Sequence, residues 1–113
     1  MTIYGKGLTP PVELAAVVGF EWDEGNWMKN EKHSVRDTEA EQLFVNEPLV
    51  VLEDRGHSHA EPRWHALGRT NEGRLLHVTF TLRARGTRVR IISARPMHRK
   101  ERTVYEQASH ANS

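Results

Sequence analysis

Arg74-Leu75-Leu76-His77-Val78-Thr79-Phe80-Thr81-Leu82-Arg83, then Ala84-Arg85-Gly86-Thr87, then Arg88-Val89-Arg90-Ile91-Ile92-Ser93-Ala94-Arg95, is the stretch that decides the fold. Apolar and polar residues alternate on both sides of a glycine-bearing turn, which is the pattern of two antiparallel strands with one buried face. The turn pairs Arg83 with Arg88, Gly86 supplying a positive-φ position. A second turn, Asn71-Glu72-Gly73, pairs Thr70 with Arg74. It brings a strand over 63–70 against one over 74–84, and a further strand over 49–53 completes a meander with the strand over 87–95. Register then sorts the side chains. Trp64, Ala66, Leu76, Val78, Phe80, Leu82, Val89 and Ile91 share the core face; Arg63, His65, Arg69, His77, Thr79, Thr81, Arg83, Arg88 and Arg90 share the other.

Upstream, a strand near Val17 to Trp22 leads to Asp23, placed as the N-cap of a helix running to about His33. Thr38 and Glu41 have capping-box spacing ahead of Leu43, which predicts a second short helix over 37–45. A last helix, near His98 to Gln107, carries Val104 and Tyr105 as docking residues, and 108–113 are expected to fray. The expected class is α+β, with two N-terminal helices packed on one face of a mainly antiparallel sheet and a C-terminal helix. Residues 1–16 are read as an extension, 17–108 as a single domain and 109–113 as a tail.

At 113 residues the chain has room for one core. Absence of cysteine excludes disulfides and thiolate metal sites. The longest apolar run, Leu14 to Phe20, is far short of the roughly 20 residues a bilayer demands, so a cytoplasmic protein is expected. Charge is the less ordinary feature. Residues 1–62 hold five Lys/Arg against twelve Asp/Glu, a net −7, while residues 63–113 hold eleven against three, a net +8. Such a dipole means either an anionic ligand on the basic side or a chain whose halves cover each other.

The register puts Arg63, Thr81 and Arg90 in one row across three strands, with His65 beside Thr79 in the next. Strands lie about 4.8 Å apart, so two guanidinium groups in that row could converge on one phosphate. Transfer of a ribose 2′-hydroxyl onto the adjacent phosphate needs a base, a cation for the phosphorane and an acid for the leaving oxygen. Arginine suits the cation's role because its planar fork holds two phosphate oxygens at once. His57, Glu61, His65 and His77 are the candidates for base and acid, and Lys32 and His33 could reach in. A metal reading of His57 and His59 is set aside, since alternate residues on a loop need not converge and no third ligand stands at helical spacing. No cofactor is expected. Trp22, Trp27 and Trp64 are read as packing residues rather than base-stacking platforms. The bland alternative is a solvated face on a non-catalytic nucleic-acid-binding or protein-interaction module.

Several collinear blocks add to this: Phe20-Glu21-Trp22-Asp23-Glu24-Gly25-Asn26-Trp27, Lys32-His33, His57-Ser58 with Glu61 and Arg63, Gly68-Arg69-Thr70, Gly73-Arg74-Leu75-Leu76, and Arg90 to Arg95 through Glu101 and Tyr105. Together, over roughly residues 19–107, they resemble the BrnT family of type II toxin-antitoxin toxins. The resemblance implies a RelE-like ribonuclease fold, RNA cleavage that halts translation, and a BrnA-like ribbon-helix-helix antitoxin as partner. Its His-Ser-x-x-Glu-x-Arg block falls on His57, Ser58, Glu61 and Arg63, and its second arginine block on Arg90 and Arg95. The chain departs from it at Ser34, where a glycine is usual, and in a shorter 27–33 segment. The expected catalytic set is therefore His57, Glu61, Arg63, His65, Arg83 and Arg90. Lys32, His33, Arg88, Arg95, Arg99 and Lys100 are the expected RNA-binding set, and an acidic antitoxin is expected to bury Arg88, Arg90 and Arg99.

Overall fold

In a computed structural model that describes residues 2–4, 13–54, 56 and 61–111, the strands are β1 (Thr2–Tyr4), β2 (Gly19–Phe20), β3 (Leu49–Glu53), β4 (Trp64–Arg69), β5 (Leu75–Arg83) and β6 (Arg88–Pro96). The helices are α1 (Asp37–Gln42) and α2 (Arg99–Ala111), with 3-10 turns of helix at Lys29–His33 and Leu43–Val45. β3 to β6 form the antiparallel meander that the alternation dictates, in the expected register: His65 faces Thr79, Thr81 faces Arg90, and Arg83 faces Arg88. The sheet is mixed, however, with strand order β1-β3-β4-β5-β6-β2 and with β2 parallel to β6. Alternation breaks at Ile91-Ile92. Thr79 pairs with Ser93 but Phe80 with Ile91, so Ile92 is the extra residue of a β-bulge and Ala94 returns to the core face.

The core face buries Ala66, Leu76, Val78, Phe80, Val89 and Ile91 against Val35, Ala40 and Leu43. Burying each large aliphatic or aromatic side chain is worth roughly 1.5–3 kcal/mol. Phe44 joins the layers, edge-on to Phe20 at 5.7 Å and to Phe80 at 5.1 Å. Gly68 is needed here: a Cβ on it would lie 2.8 Å from Leu43 Cγ. The opposite face is half-covered by α2, whose Tyr105 and Ala108 pack on Val50, Leu67 and Met97. Tyr105 donates its hydroxyl proton to the Pro48 carbonyl at 2.8 Å, so Ala108, expected to fray, is held.

The expectation of two N-terminal helices on an antiparallel sheet is therefore corrected. Only the second, α1, forms, and its N-cap is Arg36, whose N–H is taken by Glu39 Oε1 at 3.1 Å. The first is replaced by turns and the 3-10 segment Lys29–His33. The reason lies on the outer edge of β6. There the Thr87 and Val89 carbonyls accept the N–H groups of Val18 and Glu21. Beyond that point the edge is completed by side chains: Asn26 Nδ2 donates to the Ile91 carbonyl at 2.9 Å, and Asn30 Oδ1 accepts the Ala94 N–H at 2.8 Å. Asp23 does begin a cap, accepting the Gly25 N–H at 2.7 Å, but a continuous helix would carry the two buried amides away from that edge. Unpaired backbone groups there would cost more than a turn of helix contributes.

The 3-10 segment is bracketed by two non-glycine residues in the left-handed region, Met28 at φ 55° and Ser34 at φ 58°. Ser34 stands where the resemblance expects glycine, which adopts that conformation without a steric penalty. Ser34→Gly should raise stability by roughly 0.5–1 kcal/mol, net of the entropy glycine adds to the unfolded chain. A urea denaturation midpoint at or below that of the parent chain would contradict the account.

Candidate functional site

At one end of the strands, on the face away from the core, side chains from four parts of the chain form an alternating row of charges. Glu61 precedes β4, Arg83 ends β5, Glu21 and Asp23 follow β2, and Arg90 lies within β6. Arg83 forks onto Glu61, Nε to Oε2 at 3.1 Å and Nη2 to Oε1 at 3.0 Å, and its Nη1 reaches Glu21 Oε1 at 3.4 Å. Arg90 Nη1 donates to the same Glu21 oxygen at 3.0 Å and to Asp23 Oδ2 at 2.9 Å, while its Nη2 donates to Asp23 Oδ1 at 3.0 Å. Both guanidinium groups are thus engaged by carboxylates, in the two-oxygen geometry that also fits phosphate. The loop backbone closes against this pair: a Cβ on Gly25 would lie 2.7 Å from Arg90 Nη2.

The charge asymmetry of the sequence is thus partly answered within the chain. Three carboxylates of the acidic half meet two arginines of the basic half, leaving an excess negative charge. Asp23 is held more acidic than usual by Arg90, with help from the Gly25 N–H, and Arg90 is held more basic by Asp23. Of the three carboxylates Asp23 is the most open, with 56% of its side chain accessible against 31% for Glu21 and 34% for Glu61. Arg90 itself is 14% accessible, so most of its cover already comes from its own chain.

One row further along, His65 has both ring nitrogens engaged: Nε2 lies 3.2 Å from Asp54 Oδ2 and Nδ1 lies 2.9 Å from Thr79 Oγ1. Asp54, nearly buried, is a residue that sequence reasoning missed. The pairing of Asp54 N–H with the Arg63 carbonyl, at 2.9 Å, is the signal that could have placed it. The His77 ring lies against that of His65, tilted by 39°, with ring centroids 4.8 Å apart. Burial, then the neighbouring Arg95, pushes the His77 imidazole down to about 4 in spite of Glu101. Glu101 is brought down to about 2, first by Arg95, which forks onto it at 2.8 and 2.9 Å, and then by the His98 N–H.

Not every expected site residue joins the row. Arg63 lies just before β4, half-buried, its own row marked by the Thr81 hydroxyl donating to the Pro62 carbonyl at 2.6 Å. Arg95 fastens α2 to β6 through Glu101. Arg88 is exposed and donates to the Phe20 carbonyl at 3.4 Å, while Arg99 and Lys100 are exposed on α2. Lys32 and His33 are exposed on the 3-10 segment. His57, with Ser58 and His59, lies outside the described residues. Among the described residues no group of three or more His, Cys, Asp or Glu side chains is arranged to hold a metal ion, and no helix is long and apolar enough to cross a membrane.

A family model described as ribonuclease toxin, BrnT, of type II toxin-antitoxin system matches residues 22–101, which include Asp23, Glu61, Arg83 and Arg90. No curated protein matches the chain.

The depressed His77 value has a consequence for stability. Its folded pKa lies below the ordinary 6.5, so as pH falls the unfolded chain takes up the proton first; this contribution is intact above pH 6.5 and is lost progressively down to about 4. His77→Gln should flatten the decline of the urea midpoint across that window, and an unchanged slope would show that another group is responsible.

Proposed function

Since the chain belongs to the BrnT family of ribonuclease toxins of type II toxin-antitoxin systems, with RNA as substrate and an antitoxin as partner, we propose that it is a metal-independent endoribonuclease whose activity halts translation. The cleavage proceeds by attack of a ribose 2′-hydroxyl on the adjacent phosphate. The observation that carries this reading is the placing of Arg90 and Arg83, with Glu61 forked onto the latter, on the open end of the polar face within the family-matched segment.

In this mechanism the scissile phosphate exchanges for Asp23 on the Arg90 fork, because Asp23 is the most exposed carboxylate and already occupies two donors with two oxygens. Arg90 then stabilises the phosphorane. Glu61, oriented by Arg83, accepts the proton of the 2′-hydroxyl as its oxygen bonds to phosphorus. His57 is the candidate for the acid that protonates the leaving 5′-oxygen. His65, tied at both nitrogens, holds the adjoining row in place. The antitoxin is a BrnA-like ribbon-helix-helix protein, and the setting is the cytoplasm. A non-catalytic nucleic-acid-binding or interaction module is the competing reading, favoured by the carboxylates that fill both arginine forks; it predicts binding without strand scission.

Purified protein should cut RNA in excess chelator. Arg90→Ala should lose roughly 2–4 kcal/mol of transition-state stabilisation, a hundredfold or more in rate, with its circular dichroism unchanged. Intact RNA after prolonged incubation with folded protein would sink the proposal. Asp23→Asn, which keeps the shape but removes the competing charge, should bind a non-cleavable RNA strand more tightly than the parent, whereas weaker binding would mean that Asp23 does not stand in the phosphate's place.

A further inference from the structure

Of the three tryptophans, two are used by the core. Trp22 donates its indole N–H to Glu41 at 2.7 Å, and Trp64 stacks on Phe80 with centroids 5.7 Å apart. Trp27 is in neither core cluster and is 61% exposed, which corrects its reading as a packing residue, and Met28 beside it is 45% exposed. The backbone that displays them is tied down. Asn26, 2% exposed, holds the preceding turn through Asp23 N–H, the Glu21 carbonyl and the Ile91 carbonyl. The Trp27 N–H is bound to the Asp23 carbonyl at 2.7 Å, and the Met28 N–H to Asp37 Oδ2 at 3.0 Å. Met28 is also kept at φ 55°, a conformation that costs a methionine energy and is kept only where the surroundings impose it. The next residues present Lys29, Lys32 and His33 to solvent.

We infer that Trp27 is a nucleobase platform: a base of single-stranded RNA next to the cleaved bond stacks on its indole. The exposed cations of the following segment hold the neighbouring backbone. The inference rests on RNA being the substrate. An exposed indole on a tied-down backbone, four residues from Asp23 and with cations alongside, has the parts of a sequence-tolerant stacking site, in which every base offers a π-face. The backbone that carries the indole is held by the fold, so binding has only the side-chain rotamer left to fix.

The test uses a single-stranded 2′-O-methyl oligoribonucleotide, which binds but lacks the attacking hydroxyl. Trp27→Ala should weaken its binding about tenfold, as expected for one stacked base, with the melting temperature unchanged. Trp27→Phe should keep most of the affinity but lose the part of the fluorescence quenching that comes from the stacked indole. Replacing one nucleotide by an abasic spacer should weaken binding to the parent protein by a similar factor and add nothing in Trp27→Ala. Parent-like binding by Trp27→Ala, with RNA still cleaved by the parent, overturns the platform and leaves the ribonuclease reading standing. A parent protein that neither binds nor cuts RNA removes both. Loss of antitoxin binding alone in Trp27→Ala makes this a protein interface and overturns the inference.

Discussion

The outer edge of β6 is the constraint on which the remaining arrangement depends. A long central strand must have its backbone groups paired on both sides. β5 serves one side throughout, but β2 serves the other for only two residues before Asn26 and Asn30 take over with their amides. That substitution of side chain for strand draws residues 21–30 tightly along the sheet. It sets Glu21 and Asp23 over Arg90 and turns Trp27 outward. Had this segment been the helix its Asp23 start suggests, none of these placements would follow.

The sheet register was legible because period-two alternation and two glycine-bearing turns specify it over more than twenty residues, and a one-residue slip would turn every core side chain outward. The bulge at Ile92 could have been suspected from the paired isoleucines. What could not be read locally was the fate of residues 23–33. Their capping signal is real and is honoured for one turn, but two asparagines answer to partners 64 and 65 positions away in the chain. Long-range backbone satisfaction overrode local propensity there. The parallel pairing of β2 was hidden for the same reason, since a two-residue strand has no periodicity to detect.

The candidate site was half legible. Arg83 and Arg90 fall on the expected face, in neighbouring rows, and Glu61 reaches Arg83. Their partners were not foreseen, because the charge dipole of the sequence fits a bound anion and a self-covering chain equally well. Asp54 was missed since it lies outside the alternating pattern, at the end of β3. Arg95, which composition would count as a phosphate ligand, instead fastens the C-terminal helix over the apolar half of the polar face.

The alternating row from Glu61 through Arg83, Glu21 and Arg90 to Asp23 changes what counterions do when an anion arrives. An unpaired arginine that meets a phosphate liberates the cation condensed on the nucleic acid, and affinity falls steeply with added electrolyte. In the proposed exchange the incoming phosphate displaces Asp23 from Arg90, and the freed carboxylate is screened by cations from solution. Under that proposal ion uptake opposes ion release, and association at this row would depend on ionic strength less than a census of arginines implies.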